Sequence, residues 1–165
     1  MFGVRVGSLE REQRAVAEET GDRARQATRI SFGYFLRFLS LVSEFNDGDM
    51  MGGVILLAVL AANVAHLDHG ADGDIYAGVE SPAPDSLRRP VSVLAVSQAM
   101  NIPFETTRRH VNRLIKQGKC RRVKGGVIIP ESMVGTEIAS RIALENAKNL
   151  KRLYRELRRV GFDAG

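Results

Sequence analysis

The chain has 165 residues, 44% hydrophobic and 26% charged, enough to bury a core in one domain or in one domain with long extensions. Its net charge of +5 is modest but unevenly placed: residues 1–87 carry 7 basic and 13 acidic side chains, 88–124 carry 10 basic and only Glu105 as acid, and 125–165 carry 7 and 5. The one cysteine, Cys120, excludes an intrachain disulfide and fits a reducing cytoplasm, and Met1 to Glu12 lack the apolar core of a signal sequence.

Residues 1–28 are polar and charged, with Gly3, Gly7 and Gly21 and no sustained apolar face. Glu10 to Glu19 suits a solvated helix, but the segment as a whole reads as an arm. Residues 29–67 read as two apolar helices. In the first, Ile30 to Phe45, apolar side chains recur too densely for a surface helix, so it should pack on two neighbours or on a second subunit. Asn46-Asp47-Gly48-Asp49 is a turn in which Asp47 or Asp49 can cap the next helix.

That next helix, 50–67, is apolar nearly all round, and Gly52, Gly53, Ala58, Ala61, Ala62 and Ala65 permit close approach. Its longest apolar run, Met50 to Ala62, falls short of the roughly 20 residues that cross a bilayer, so no membrane span is expected. Residues 68–89, with Gly70, Gly73, Gly78, Pro82 and Pro84 among several aspartates, read as an acidic linker.

The segment 90–130 is different in kind. Ser92 can cap a short helix over 93–100, and Asn101 can end it in the left-handed conformation. Pro103 suits the start of a second helix, 103–117, with Gly118 as its stop. Only three residues separate the two helices, the short connection of a helix-turn-helix. At 100° per residue, Thr107, Val111 and Leu114 share one side of the second helix, and Glu105, Arg109, Asn112 and Lys116 share the other, flanked by Thr106, Arg108 and Arg113. Lys119 to Val123 and Val127 to Pro130 then read as two strands around Lys124-Gly125-Gly126, a tight hairpin carrying Arg121, Arg122 and Lys124. Beyond it, 131–165 reads as one long helix to about Val160. Its Ala139, Ala143, Ala147, Leu150, Tyr154 and Leu157 form a narrow pairing seam.

The stretch from Val91 to Pro130 resembles the DNA-binding domain of bacterial winged-helix transcriptional regulators, the broad group that includes the MarR-like and GntR-like families. The motif is carried by Thr106-Thr107-Arg108-Arg109-His110-Val111 and by Leu114 to Gly118. Thr107 departs from the usual valine or isoleucine, a polar cost that backbone bonding offsets. The resemblance implies a mainly α fold with a small β-wing, flanked by N-terminal and C-terminal dimerisation helices. It further implies sequence-specific binding of double-stranded DNA as a homodimeric transcriptional regulator.

In that reading, helix 103–117 lies in the major groove, and Glu105, Thr106 and Arg109, in its N-terminal half, meet base edges. Arg108, Asn112, Arg113, Lys116, Arg121, Arg122 and Lys124 meet the DNA backbone, the last three from a wing over 119–130. Helices 30–45, 50–67 and 134–160 are expected to supply the dimer interface. The alternative from another class is a winged-helix interaction or scaffold module without sequence-specific DNA binding.

Weaker candidates have simpler explanations. His66, Asp68, His69, Asp72 and Asp74 offer five metal-ligand types in nine residues, but an acidic loop looks the same, and no metal is expected. Asn63 and His66, one turn apart, would be the lining of an effector pocket, though nothing supports a small-molecule effector and a helix–helix hydrogen bond is the simpler role. Cys120 beside Arg121 and Arg122 has the surroundings of a reactive thiol, against a default of packing at the base of the wing. His110 reads as a packing or phosphate contact. No nucleophile–base pair, phosphate loop or carboxylate dyad stands out, so neither an enzyme nor a cofactor is expected.

Overall fold

In the computed structural model of the chain, the described residues are 6–67, 75, 76 and 78–162, with side chains described from Gly21 onward except at Asp22. The metal-ligand types at Asp68, His69, Asp72 and Asp74 lie outside them. The described part is mostly helical, with one small antiparallel sheet. It divides into two compact units, residues 1–38 with 147–165, and residues 39–146.

The first helix, α1, spans Val6–Phe45. The helix expected over 30–45 therefore continues back through the segment read as an arm, with no break at residue 28. Glu, Arg, Gln and Ala dominate there and proline is absent, so intrinsic propensity carries the helix although no apolar stripe announces it. In the first unit, Tyr34 stacks on Phe38 with ring centroids 6.1 Å apart, on the half-buried side of α1. On its other side, Phe32, Phe35 and Leu36 are exposed at 54–66%. The last helix, α6, spans Glu137–Arg159. It ends in a glycine cap: Gly161 takes φ +70°, its N–H donates to Arg158 O, and the Phe162 N–H donates to Leu157 O. Ala143, Ala147, Leu150 and Tyr154 of the expected seam are all exposed on α6.

The second unit is built around α2, Met50–Val64. Asp49 caps it, its Oδ1 accepting the Gly52 N–H at 2.9 Å. Gly53 lets α1 approach closely: a Cβ there would sit 2.6 Å from a Val42 methyl. Ile55, Leu56 and Val59 of α2 form the middle of a core with Val96, Val111, Leu114, Cys120, Val127 and Ile129. The all-round apolar character of α2 is thus explained by burial among α3 (Val93–Met100), α4 (Phe104–Lys116) and the hairpin. Among the described residues no single helix is long and apolar enough to cross a membrane.

The hairpin pairs β1 (Arg121–Val123) with β2 (Gly126–Ile128), in the register Arg121 to Ile128 and Val123 to Gly126. Val91 adds an antiparallel bridge to Val127 on the other edge of β2. Gly126 makes that approach possible, because a Cβ on it would lie 2.3 Å from Val91 O. Asn63, fully buried on α2, fastens the assembly: its Nδ2 donates to Arg89 O (2.8 Å) and Val127 O (3.2 Å), and its Oδ1 accepts the Ile129 N–H (2.9 Å). The expected partner of Asn63 was another helix; the observed partners are the backbone of β2 at Val127 and of the segments at Arg89 and Ile129, whose polar groups must be satisfied once buried.

Two further differences concern boundaries. The segment expected as one helix from 131 is two, α5 (Glu131–Val134) and α6, because Thr136 breaks the run by capping α6 with its hydroxyl on the Ala139 N–H. The end of the expected linker is packed: Ala83 and Arg88 are buried, and Asp85–Leu87 forms a 3-10 turn.

Candidate nucleic-acid interface

The local sequence positions α3 and α4 as expected. Ser92 Oγ accepts the Ala95 N–H and starts α3, and Asn101 ends it at φ +51°, ψ +39°. The three-residue turn is then locked by Ser97, whose hydroxyl donates to Ile102 O at 2.7 Å while its carbonyl accepts the Ile102 N–H. Pro103 caps α4 from just outside, so the helix expected over 103–117 runs from 104 to 116.

The two faces of α4 are sharply distinct. Thr107, Val111 and Leu114 are at most 1% exposed and enter the core. Thr107 returns its hydroxyl to Pro103 O at 3.3 Å, which removes the cost of a buried polar atom. Glu105, Arg108, Arg109, Arg113 and Lys116 are exposed, with Asn112 and Thr106 half-buried at the edges.

Many of these side chains are already engaged within the protein. Arg108 donates to both carboxylate oxygens of Glu105, one turn back. That bond holds the Glu105 carboxyl below its ordinary value and raises the Arg108 guanidinium. Arg113 Nη1 donates to Asp49 Oδ2 at 2.9 Å, and His110 Nδ1 lies 3.3 Å from the same oxygen. Partial burial alone would push the Asp49 carboxyl up, yet the Gly52 N–H, His110 and Arg113 hold it below the usual range.

On the hairpin, Arg122 Nη2 donates to Asn112 Oδ1 at 3.1 Å, tying β1 to α4. Arg121 pairs with Asp85, whose other oxygen accepts the Glu131 N–H at 2.7 Å. The Glu131 N–H is the main reason that the Asp85 carboxyl is held low. Of the ten side chains expected on DNA, Thr106, Arg109, Lys116 and Lys124 have no hydrogen bond or ion pair among the described residues. Arg109, His110 and Arg113 line an open depression of about 160 Å³ on the side of α4.

Two cations counted in the basic segment are not on its surface. Arg88 is buried, with its Nη2 on Ala83 O, and burial lowers its pKa against the opposing pull of Asp85. Lys119 binds the C-terminal end of α1, donating to Phe45 O, Asn46 Oδ1 and Asp47 Oδ2 at 3.0–3.1 Å. Sequence reading missed these roles, and the pairing of Asp49 with Arg113 and of Asp85 with Arg121, because charge counting registers sign and not partners brought together from distant segments. Cys120 is buried in the core, and burial pushes its thiol up to about 12, the opposite of an activated thiolate. Among the described residues no group of three His, Cys, Asp or Glu side chains is arranged to hold a metal ion.

Comparison of the chain with known protein families, with curated proteins and with solved structures finds no match in any of the three.

Proposed function

We propose that this protein binds double-stranded DNA in a sequence-specific manner, as a dimeric transcriptional regulator of the winged helix-turn-helix type. One observation carries the reading: α4 follows α3 after a three-residue turn, with its back in the core and a polar, mainly cationic front left in solvent. A helix so mounted can lie in a major groove without unfolding anything behind it. Glu105, Thr106 and Arg109 then meet base edges, while Lys116, Lys124 and the Arg122–Asn112 pair meet the backbone beside them. The hairpin is the wing.

Dimerisation supplies the second half-site, and the exposed Phe32, Phe35 and Leu36 of α1 are the apolar surface that a partner subunit would cover.

The test is the salt dependence of binding to duplex DNA. With Lys116, Lys124 and Arg122 on phosphates, log K should fall against log salt with a slope of about −3 per subunit. A flat response, with no preference among duplex sequences, would remove the DNA reading and leave the interaction-module reading.

A further inference from the structure

The depression lined by Arg109, His110 and Arg113 has a construction that a merely solvated basic face does not need. Arg113 is held rather than free: Asp49, the residue that starts α2, fixes its Nη1 at 2.9 Å. The same carboxylate faces His110 Nδ1 at 3.3 Å, on a side of the ring that is buried and has no hydrogen bond. Arg109, one turn before Arg113 on the same helix, is exposed and has no ion pair among the described residues.

We infer that this depression is the seat of a single phosphate group. Arg113 is its fixed wall, pre-oriented by Asp49, so less side-chain freedom is lost when an anion arrives. Arg109 is its mobile arm. With five N–H donors in a planar fork, Arg109 gives one edge to the phosphate and keeps the other for the front of α4. His110 forms the third wall. The charge balance favours an oxyanion, since two guanidinium groups face one carboxylate. The open mouth admits a phosphate that stays attached to a larger molecule. The phosphate of a DNA backbone is the source that fits the reading above, on which that part of the inference rests; a free phosphate-bearing ligand would satisfy the same chemistry.

Inorganic phosphate, titrated against the full chain at constant ionic strength with chloride as reference, tests the seat, with the ring signals of His110 as the reporter. Saturable shifts specific to phosphate are expected. Arg109→Gln should weaken them by about tenfold, the scale of one charge-assisted hydrogen bond. Arg113→Gln should do the same provided its circular dichroism matches the parent, and Arg109→Gln, which breaks no ion pair among the described residues, keeps the test decisive if it does not.

Duplex DNA is then added to the phosphate-loaded protein. Displacement of phosphate assigns the seat to the DNA backbone. Phosphate binding without displacement upholds the seat and assigns it to a free phosphate ligand. Identical His110 signals in phosphate and chloride overturn the seat, even if the protein binds DNA.

Discussion

Asn63→Ala should be among the most damaging single substitutions in the 39–146 unit, although Asn63 touches no proposed ligand. Its side chain closes three hydrogen bonds to backbone groups of Arg89, ahead of the Val91 bridge, and of Val127 and Ile129, in and just after β2. The losses are unequal. Arg89 is exposed, so its carbonyl regains water, and Val127 O keeps the Val91 N–H at 3.1 Å. The Ile129 amide belongs to a residue only 3% exposed and is left unpaired, a cost of about 1–3 kcal/mol. Adding the void left in a packed core gives about 2–4 kcal/mol in total. Urea denaturation followed by circular dichroism should show the midpoint falling by about 1–2 M at a typical slope. Asn63→Leu separates the two causes, because it refills the volume but still orphans the amide, and it should remain destabilised by at least about 1 kcal/mol. Parent-like stability in Asn63→Leu would refute the hydrogen-bond argument and leave packing alone.

Gly126→Ala should cost about 2 kcal/mol or more, since the new methyl meets Val91 O and φ is +154°, whereas Gly118→Asn, at φ +73° in open space, should cost less than about 1 kcal/mol; thermal melts of the two variants make the comparison. Asp49 and Asp85 titrate below their ordinary range when folded, so their stabilisation is complete above the unfolded carboxylate value of about 3.9. It is lost as the pH falls from there through the folded values, and Asp49→Asn with Asp85→Asn should flatten that acid limb of a stability–pH curve. Cys120 should resist alkylation in the native protein at pH 8 and react once urea unfolds it; rapid native labelling would contradict its burial.

How far the fold was legible depended on how local its causes are. Ser92, Asn101, Pro103 and Gly118 mark helix ends through their own backbone preferences, so α3 and α4 were readable to within a residue. The period of Thr107, Val111 and Leu114 gave the buried side of α4 for the same reason. The N-terminal part of α1 was not readable by apolar periodicity, because a helix held by propensity has no stripe. The break at Thr136 was missed because a cap inside an otherwise helical run needs only one hydroxyl. The candidate interface was legible as a set of charges and illegible as a set of partners. Nothing near Arg113 in sequence announces Asp49, and nothing near Arg121 announces Asp85.

The Asp85 pairing also bears on how such a surface can change over generations. Arg121 is joined through Asp85 to the first amide of α5, so replacing it disturbs a helix start as well as a surface charge. Lys124, at the hairpin turn, has no hydrogen bond or ion pair among the described residues. Substitutions that retune the hairpin's affinity can therefore accumulate at Lys124 one at a time, while a change at Arg121 also removes a partner of Asp85, a residue that lies outside the hairpin altogether.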